Sequence, residues 1–114
     1  MPPLTDPAIL AKFRHALGEW NCTGYVTWKR TARQWVEDSL EGFTTRAVGE
    51  SLSLYVEAGG VIDQVRESRP EWSEHRFHYD FRMDIGGRHV YIETILVEDD
   101  PQDPTIHVVS IHDA

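Results

Sequence analysis

A single cysteine, Cys22, stands in a chain of 114 residues, which excludes an internal disulfide and any zinc site built from several cysteines. No apolar run approaches the roughly 20 residues needed to span a bilayer. Met1 to Asp6 lacks a basic stretch followed by an apolar one, so no secretory leader is expected. The chain therefore reads as soluble and cytoplasmic, with no membrane partner. Positive charge is scarce too: 11 Lys and Arg face 19 Asp and Glu, a formal net charge of −8. Nucleic-acid binders usually carry a basic footprint. Here only two regions run positive, Lys29, Arg30 and Arg33, and the series Arg66, Arg69, Arg76, Arg82 and Arg88, while acid gathers at Glu98, Asp99, Asp100 and Asp103. The total charge weighs against RNA as a partner but leaves room for a local basic face.

What is present suits a folded domain. Hydrophobic residues make up 40% of the chain and include four Trp, four Tyr and four Phe, enough for one domain to build a core without staples. Asp6-Pro7 predicts a helix start, because the Asp side chain can cap free N–H groups and Pro fits the first turn. Leu10, Phe13 and Leu17 then share one stripe up to Gly18. Cys22 to Trp28 alternates as a short strand. Thr31-Ala32-Arg33-Gln34 has capping-box form, and Ala32, Trp35, Val36 and Leu40 follow at helical spacing before Gly42. A third helix is predicted from Thr44 or Thr45, with Val48, Leu52, Tyr55 and Val56 buried, ending at Gly59-Gly60. Gly49 within it costs about 1 kcal/mol relative to Ala.

After Gly60 the apolar period changes from 3.6 to 2. Val61 to Glu67 reads as a strand, and Arg69-Pro70-Glu71 as a turn. His75 to Ile85 and Arg88 to Glu98 read as a hairpin on Gly86-Gly87, which supply the positive φ of a tight turn. An acidic loop from Asp99 to Pro104, carrying two prolines, precedes a last strand, Thr105 to His112. The expected fold is one α+β domain, order α-β-α-α-β-β-β-β, with helices on one face of a four- or five-stranded antiparallel sheet.

The hairpin sets a register. Placing Ile85 opposite Arg88 aligns Met83 with Val90, Phe81 with Ile92, Tyr79 with Thr94 and Phe77 with Leu96, an apolar face for the helices. The other face aligns Asp84 with His89, Arg82 with Tyr91, Asp80 with Glu93 and His78 with Ile95. Taking Val61 and Val65 as core adds Gln64 and Arg66 to this polar face. On the last strand, burial of Val109 and Ile111 brings Ser110 and His112 to it; burial of Ile106 and Val108 brings His107 instead. Facing carboxylates such as Asp80 and Glu93 require a cation between them or a shared proton, and Arg82 and Arg66 are the expected cations.

This layout resembles the RelE-like ribonuclease toxins, and most closely the motility quorum-sensing regulator (MqsR-like) toxins. Gly87-Arg88-His89-Val90-Tyr91-Ile92 is similar to that family's Gly-x-Val-Tyr-Leu strand, with Tyr91 at its functional tyrosine. Ile106 to Ile111 is similar to its closing Ile-Val-Ser strand, and Tyr79-Asp80-Phe81 loosely matches the segment that supplies a Gln and an Arg. The family is basic and places lysines on the strand matching Val61–Glu67, where this chain has Gln64 and Arg66.

The resemblance implies metal-independent RNA cleavage by attack of a ribose 2′-OH on the adjacent phosphate, with a protein antitoxin as cognate partner and no cofactor. Such a reaction needs a base, an acid and cations for the phosphate. Glu93 or His78 is the expected base, and His112 or His107 the acid. Arg66 and Arg82 are expected on the phosphate, since the guanidinium fork matches its oxygens. Tyr91 is expected to stack on a base or donate to the phosphate, with Gln64, Asp80, His107 and Ser110 lining the substrate.

Plainer readings compete. His78 also suits a surface strand, Arg66 and Arg82 suit salt bridges to Asp80 and Glu93, and Tyr91 suits cross-strand packing. His75 and His78, three apart on a strand, point to opposite faces, and His107 and His112 also diverge, so no metal site is expected. A non-catalytic acidic binding protein is the alternative, immunity-like or dimeric, using Tyr91, Ile95 and Val97 as an apolar strip. The discriminating feature is where the acid lies: a neutral or basic sheet face favours the enzyme, an acidic one the binder.

Overall fold

The computed structural model describes residues 2–100 and 102–114; Met1, and Pro101 of the predicted acidic loop, lie outside them. Helix α1 spans Pro7–Gly18, capped by Asp6 Oδ1 accepting from the Ala8 N–H, and buries Phe13, Ala16 and Leu17. Strand β1 is only Val26–Trp28, shorter than the alternation from Cys22 predicts. Helix α2 runs Arg30–Ser39 with Lys29 as an N-cap that makes no side-chain bond. The capping box expected at Thr31 therefore does not form: the helix starts one residue before it, and Gln34 donates to Asp38 one turn on. Helix α3 spans Thr45–Glu57, with Thr44 Oγ1 accepting from the Ala47 N–H. Its Gly49 is buried, and a Cβ there would lie 3.4 Å from Trp20 Cβ.

Strands β2 (Ile62–Arg66), β3 (Phe77–Ile85), β4 (Arg88–Val97) and β5 (Thr105–Asp113) complete a five-stranded sheet of order β1-β5-β4-β3-β2. The sheet is mixed, not antiparallel throughout, because β1 pairs parallel to β5 while the other pairs are antiparallel. A parallel partner requires a long connection, and here the chain from β1 returns through α2, α3 and the whole meander before β5 lies beside it. At the opposite edge Leu4 N–H donates to Ile62 O, and Gln64 N–H donates to Pro2 O.

The hairpin register agrees with expectation from Tyr79/Thr94 to Ile85/Arg88, with Gly86 and Gly87 at φ 58° and 80°. Phe81, Ile92, Val90, Ile106, Val108 and Ile111 meet Phe13, Leu17, Val36, Val48 and Leu52 in one core. Each fully buried side chain of this size contributes about 1.5–3 kcal/mol over its exposed state. Arg88 ties the hairpin end to α2: it pairs with Asp113, donates to Ser39 O and lies over the Trp35 ring.

Two phase assignments differ from the sequence reading. In β2, Ile62 is core opposite Phe81, while Val61 is 58% exposed and Val65 lies opposite His78. Both phases of Val61–Arg66 offer apolar residues, and the bulkier Ile62 fills the core. The whole strand is therefore turned by one residue, and Gln64 and Arg66 fall on the helix side, opposite Tyr79 and Phe77. In β5 a bulge resolves the two alternatives by realising both. Thr94 pairs with Val108 but Glu93 pairs with Ser110, so Val109 is the extra residue. Ile106 and Val108 before the bulge and Ile111 after it are all core. His107, Ser110 and His112 consequently share the other face.

Candidate functional site

That second face is not an open polar surface. Ile95 and Val109 are buried there, outside the main core cluster, and the β2–β3 connection returns across it. Arg69 reaches Glu93, and the Trp72 ring lies 6.0 Å from that of His107. Three carboxylates stand in a row across three strands: Asp63 opposite Asp80, and Asp80 opposite Glu93. Neighbours on one face of a sheet lie only about 4.5–5.5 Å apart, so each must be compensated.

The compensation is uneven. Asp63 is paired with Arg82, and Glu93 with Arg69. Arg69 also grips Glu67, Nε to Oε1 and Nη2 to Oε2, both at 2.9 Å. This Arg69 fork, assisted by the His78 imidazole 3.1 Å away, holds the Glu67 carboxyl down at about 2 despite its burial. The central Asp80 is fully buried and, among the described residues, pairs with no Lys or Arg. Its Oδ2 accepts from the Tyr91 phenol at 2.6 Å; Oδ1 has no hydrogen-bond partner among the described residues, and His78 Nε2 stands 3.7 Å from it. Burial pushes the Asp80 carboxyl above the usual range, against the opposing pull of the Tyr91 hydrogen bond. Desolvation and the Asp80 carboxylate together push the Tyr91 phenol up.

Of the ten residues singled out from sequence, eight share this face. Arg82, Tyr91 and His112 come together at its open end. The Arg82 guanidinium lies 5.0 Å from the Tyr91 ring centre, and the His112 ring stacks on Tyr91 at 5.0 Å. With Ala114 they line a depression of about 420 Å³. His112 Nδ1 lies 2.8 Å from the Asp113 carbonyl, an acceptor that requires the proton on Nδ1 and leaves the Nε2 lone pair free. His78, Asp80 and Glu93 are spent on the buried network behind. Ser110 lies opposite Glu93. His107 is nearer β1, opposite Ile95, with Nδ1 2.8 Å from Thr27 Oγ1; burial pushes its pKa down.

Gln64 and Arg66 are the two that the structure removes from the cluster, because β2 runs in the opposite phase. Asp63, Glu67 and Arg69 are members the sequence reading did not include. Asp63 is the residue that the phase change exposes to Arg82. Glu67 and Arg69 sit where a turn is expected, and only the fold of that connection across the sheet brings them in. A separate groove lined by Glu74, His75, Arg76, Phe77, Leu96 and Glu98 contains none of the candidate residues. Among the described residues no helix is long and apolar enough to cross a membrane.

No protein family, curated protein or solved structure matches the chain. The fold and the site therefore stand on their own geometry: an α+β domain with three helices against a mixed five-stranded sheet.

Proposed function

We propose that the protein is a toxin-like endoribonuclease whose metal-independent chemistry is carried by Arg82, Tyr91 and His112. The observation that carries this reading is the placement of His112: its Nδ1 lies 2.8 Å from the Asp113 carbonyl, and its ring lines the same depression as Arg82. An imidazole with Nδ1 donating to a carbonyl serves as general base through its other nitrogen. It takes the proton of a ribose 2′-OH as that oxygen attacks the adjacent phosphorus. Arg82 lies beside it to neutralise the phosphate oxygens as charge develops, and the departing 5′-oxygen is protonated by solvent at the open mouth. Tyr91, its phenol committed to Asp80, is a positioning residue for both. This reassigns His112 from acid to base, because Glu93 and His78 are held by Arg69 and Glu67. The resemblance of the Gly87–Ile92 strand to the toxin family supports Tyr91 alone of these three.

The test is cleavage of a single-stranded RNA by the purified protein in the presence of EDTA, with product ends identified. The expected products carry 2′,3′-cyclic phosphate. His112→Ala is expected to lower the rate at least a hundredfold, and Arg66→Ala to leave it unchanged. Intact RNA after incubation with the wild type would sink the proposal.

A second reading is favoured by one specific observation. The second face carries Asp63, Glu67, Asp80 and Glu93 against Arg69 and Arg82, the acidic balance that by the charge criterion above favours an inhibitor of a basic protein, so the enzyme reading rests on the Arg82–His112 corner alone. Under this second reading the protein binds a basic partner, an antitoxin-like or immunity-like role, and leaves RNA intact.

A further inference from the structure

Glu67, His78 and Glu93 each offer a ligand atom, and these atoms all lie within 4.8 Å of one another. They come from rigid positions: the residue after β2, the second residue of β3, and the middle of β4. The cation now between the carboxylates is the Arg69 guanidinium, on the connection that crosses the face. We propose that this is a divalent metal site with Zn²⁺ as the preferred ion, in which the metal exchanges for the Arg69 side chain.

Three observations carry the exchange. First, the charges do not balance around Arg69. Glu67, Asp80 and Glu93 are three buried or nearly buried carboxylates, and Arg69 brings one permanent positive charge. A divalent ion brings two in a smaller volume.

Second, Asp80 Oδ1 is buried, has no hydrogen-bond partner among the described residues, and faces the far nitrogen of the His78 ring. With Nδ1 now beside Glu67, the ring proton of a neutral His78 is needed there. A metal on Nδ1 moves that proton to Nε2, aimed at Asp80 Oδ1. The result is a carboxylate–histidine–metal triad, the arrangement that orients most metal-bound imidazoles. The orphaned oxygen gains its donor.

Third, Arg69 is the only one of the group able to leave: its side chain is 35% exposed against 1% for Glu67 and 13% for His78. Metal–ligand bonds of about 2.0–2.2 Å in a tetrahedron put ligand atoms about 3.4 Å apart; His78 Nδ1 and Glu67 Oε2 are already at 3.1 Å, and the widest pair, within 4.8 Å, closes by at most about 1.4 Å as Arg69 swings out. One imidazole and two carboxylates suit Zn²⁺. They are too few oxygens for Ca²⁺, which takes six to eight, and Zn²⁺ outranks Mn²⁺ and Fe²⁺ for such a donor set. The site is distinct from the Arg82–Tyr91–His112 depression, although Asp80 touches the residues of both.

The experiment is a Zn²⁺ titration of the full chain against a competing chelator, with the ¹⁵N shifts of all six imidazoles followed in the wild type. The expected result is one equivalent bound, with the His78 Nδ1 resonance the one that moves most. His78→Gln and Glu93→Gln are expected to weaken binding at least tenfold, and Arg69→Gln to strengthen it at least tenfold. A His78 ring that does not respond in the wild type or in Arg69→Gln overturns the site. Binding that survives His78→Gln does so too, and an Arg69→Gln variant that binds no tighter overturns the exchange. Because the readout is binding alone, failure here says nothing of the RNA-cleavage reading, and failure of that reading leaves this result standing.

Discussion

The Tyr91 phenol donates to Oδ2 of the buried Asp80 at 2.6 Å, and among the described residues it is the only hydrogen bond that the Asp80 carboxyl receives. Two facing strands therefore share one polar contact at the centre of a row of three carboxylates. Removing the phenol leaves both carboxyl oxygens of a fully buried side chain without a donor. Tyr91→Phe is expected to cost about 1–3 kcal/mol, the penalty of an unsatisfied buried group. Urea denaturation at neutral pH measures it. A cost below about 0.5 kcal/mol would show that Asp80 is already protonated or hydrated without Tyr91.

The Arg69 fork makes stability depend on acid. Glu67 titrates at about 2 in the folded chain against an ordinary 4.5. A depressed folded value contributes stability that is present above the unfolded pKa and lost as pH falls toward the folded one. The loss expected between pH 5 and pH 2 is about 3 kcal/mol from this group. Asp80 has the opposite sign: its folded value is raised, so its contribution is full at low pH and lost as pH rises. Arg69→Met is expected to flatten the acid limb of a stability–pH curve, and Asp80→Asn to steepen it. The same slope in all three proteins would dismiss the network as a source of pH dependence.

How much was legible in the sequence depends on how local the cause is. The β3–β4 register follows from Gly86-Gly87 and the alternation around it, and it places Asp80 opposite Glu93 correctly. Helix ends marked by Asp6, Thr44 and Gly59 were also readable, because a cap is a contact within one turn. The phase of β2 was not, since Val61–Arg66 offers apolar residues on both faces and the choice is made by the neighbour, Phe81. Nor was the bulge at Val109, which lets β5 satisfy two apolar patterns that a regular strand could not. Glu67 and Arg69 enter the site through a connection whose path is set by tertiary contacts. Thus the pattern placed Arg82, Tyr91 and Asp80 on one face, but it did not bring in Asp63, the partner of Arg82, or Glu67 and Arg69.

Ile95 tests whether that connection truly covers the second face. Alternation alone makes it a solvent-side residue, yet it is 1% exposed. A solvent-facing Ile→Ala change lies within about 0.5 kcal/mol of neutral, whereas a buried one costs about 2–5 kcal/mol. Ile95→Ala is expected in the second range, comparable with Ile92→Ala in the main core. Equal thermal midpoints for Ile95→Ala and wild type would mean that the 67–76 connection lifts off the sheet in solution.

Arg82 is held by Asp63, and the pair is partly exposed, 42% and 20% for the two side chains. Ion pairs of this kind contribute at most about 1 kcal/mol to stability, so Asp63→Asn is expected to leave the fold nearly unchanged. Its effect on the proposed RNA site has the opposite sign to most surface substitutions. It frees the guanidinium beside His112 and removes one negative charge from the approach of a phosphate. Oligonucleotide affinity is expected to rise about two- to tenfold at low salt, with the gain shrinking as salt screens the phosphate contact. Arg82→Ala is expected to lower affinity, and the Asp63→Asn gain to vanish when both changes are combined. Fluorescence anisotropy of a labelled single strand reads all three. A gain that persists without Arg82 would assign it to general charge reduction and remove Arg82 from the phosphate-binding role.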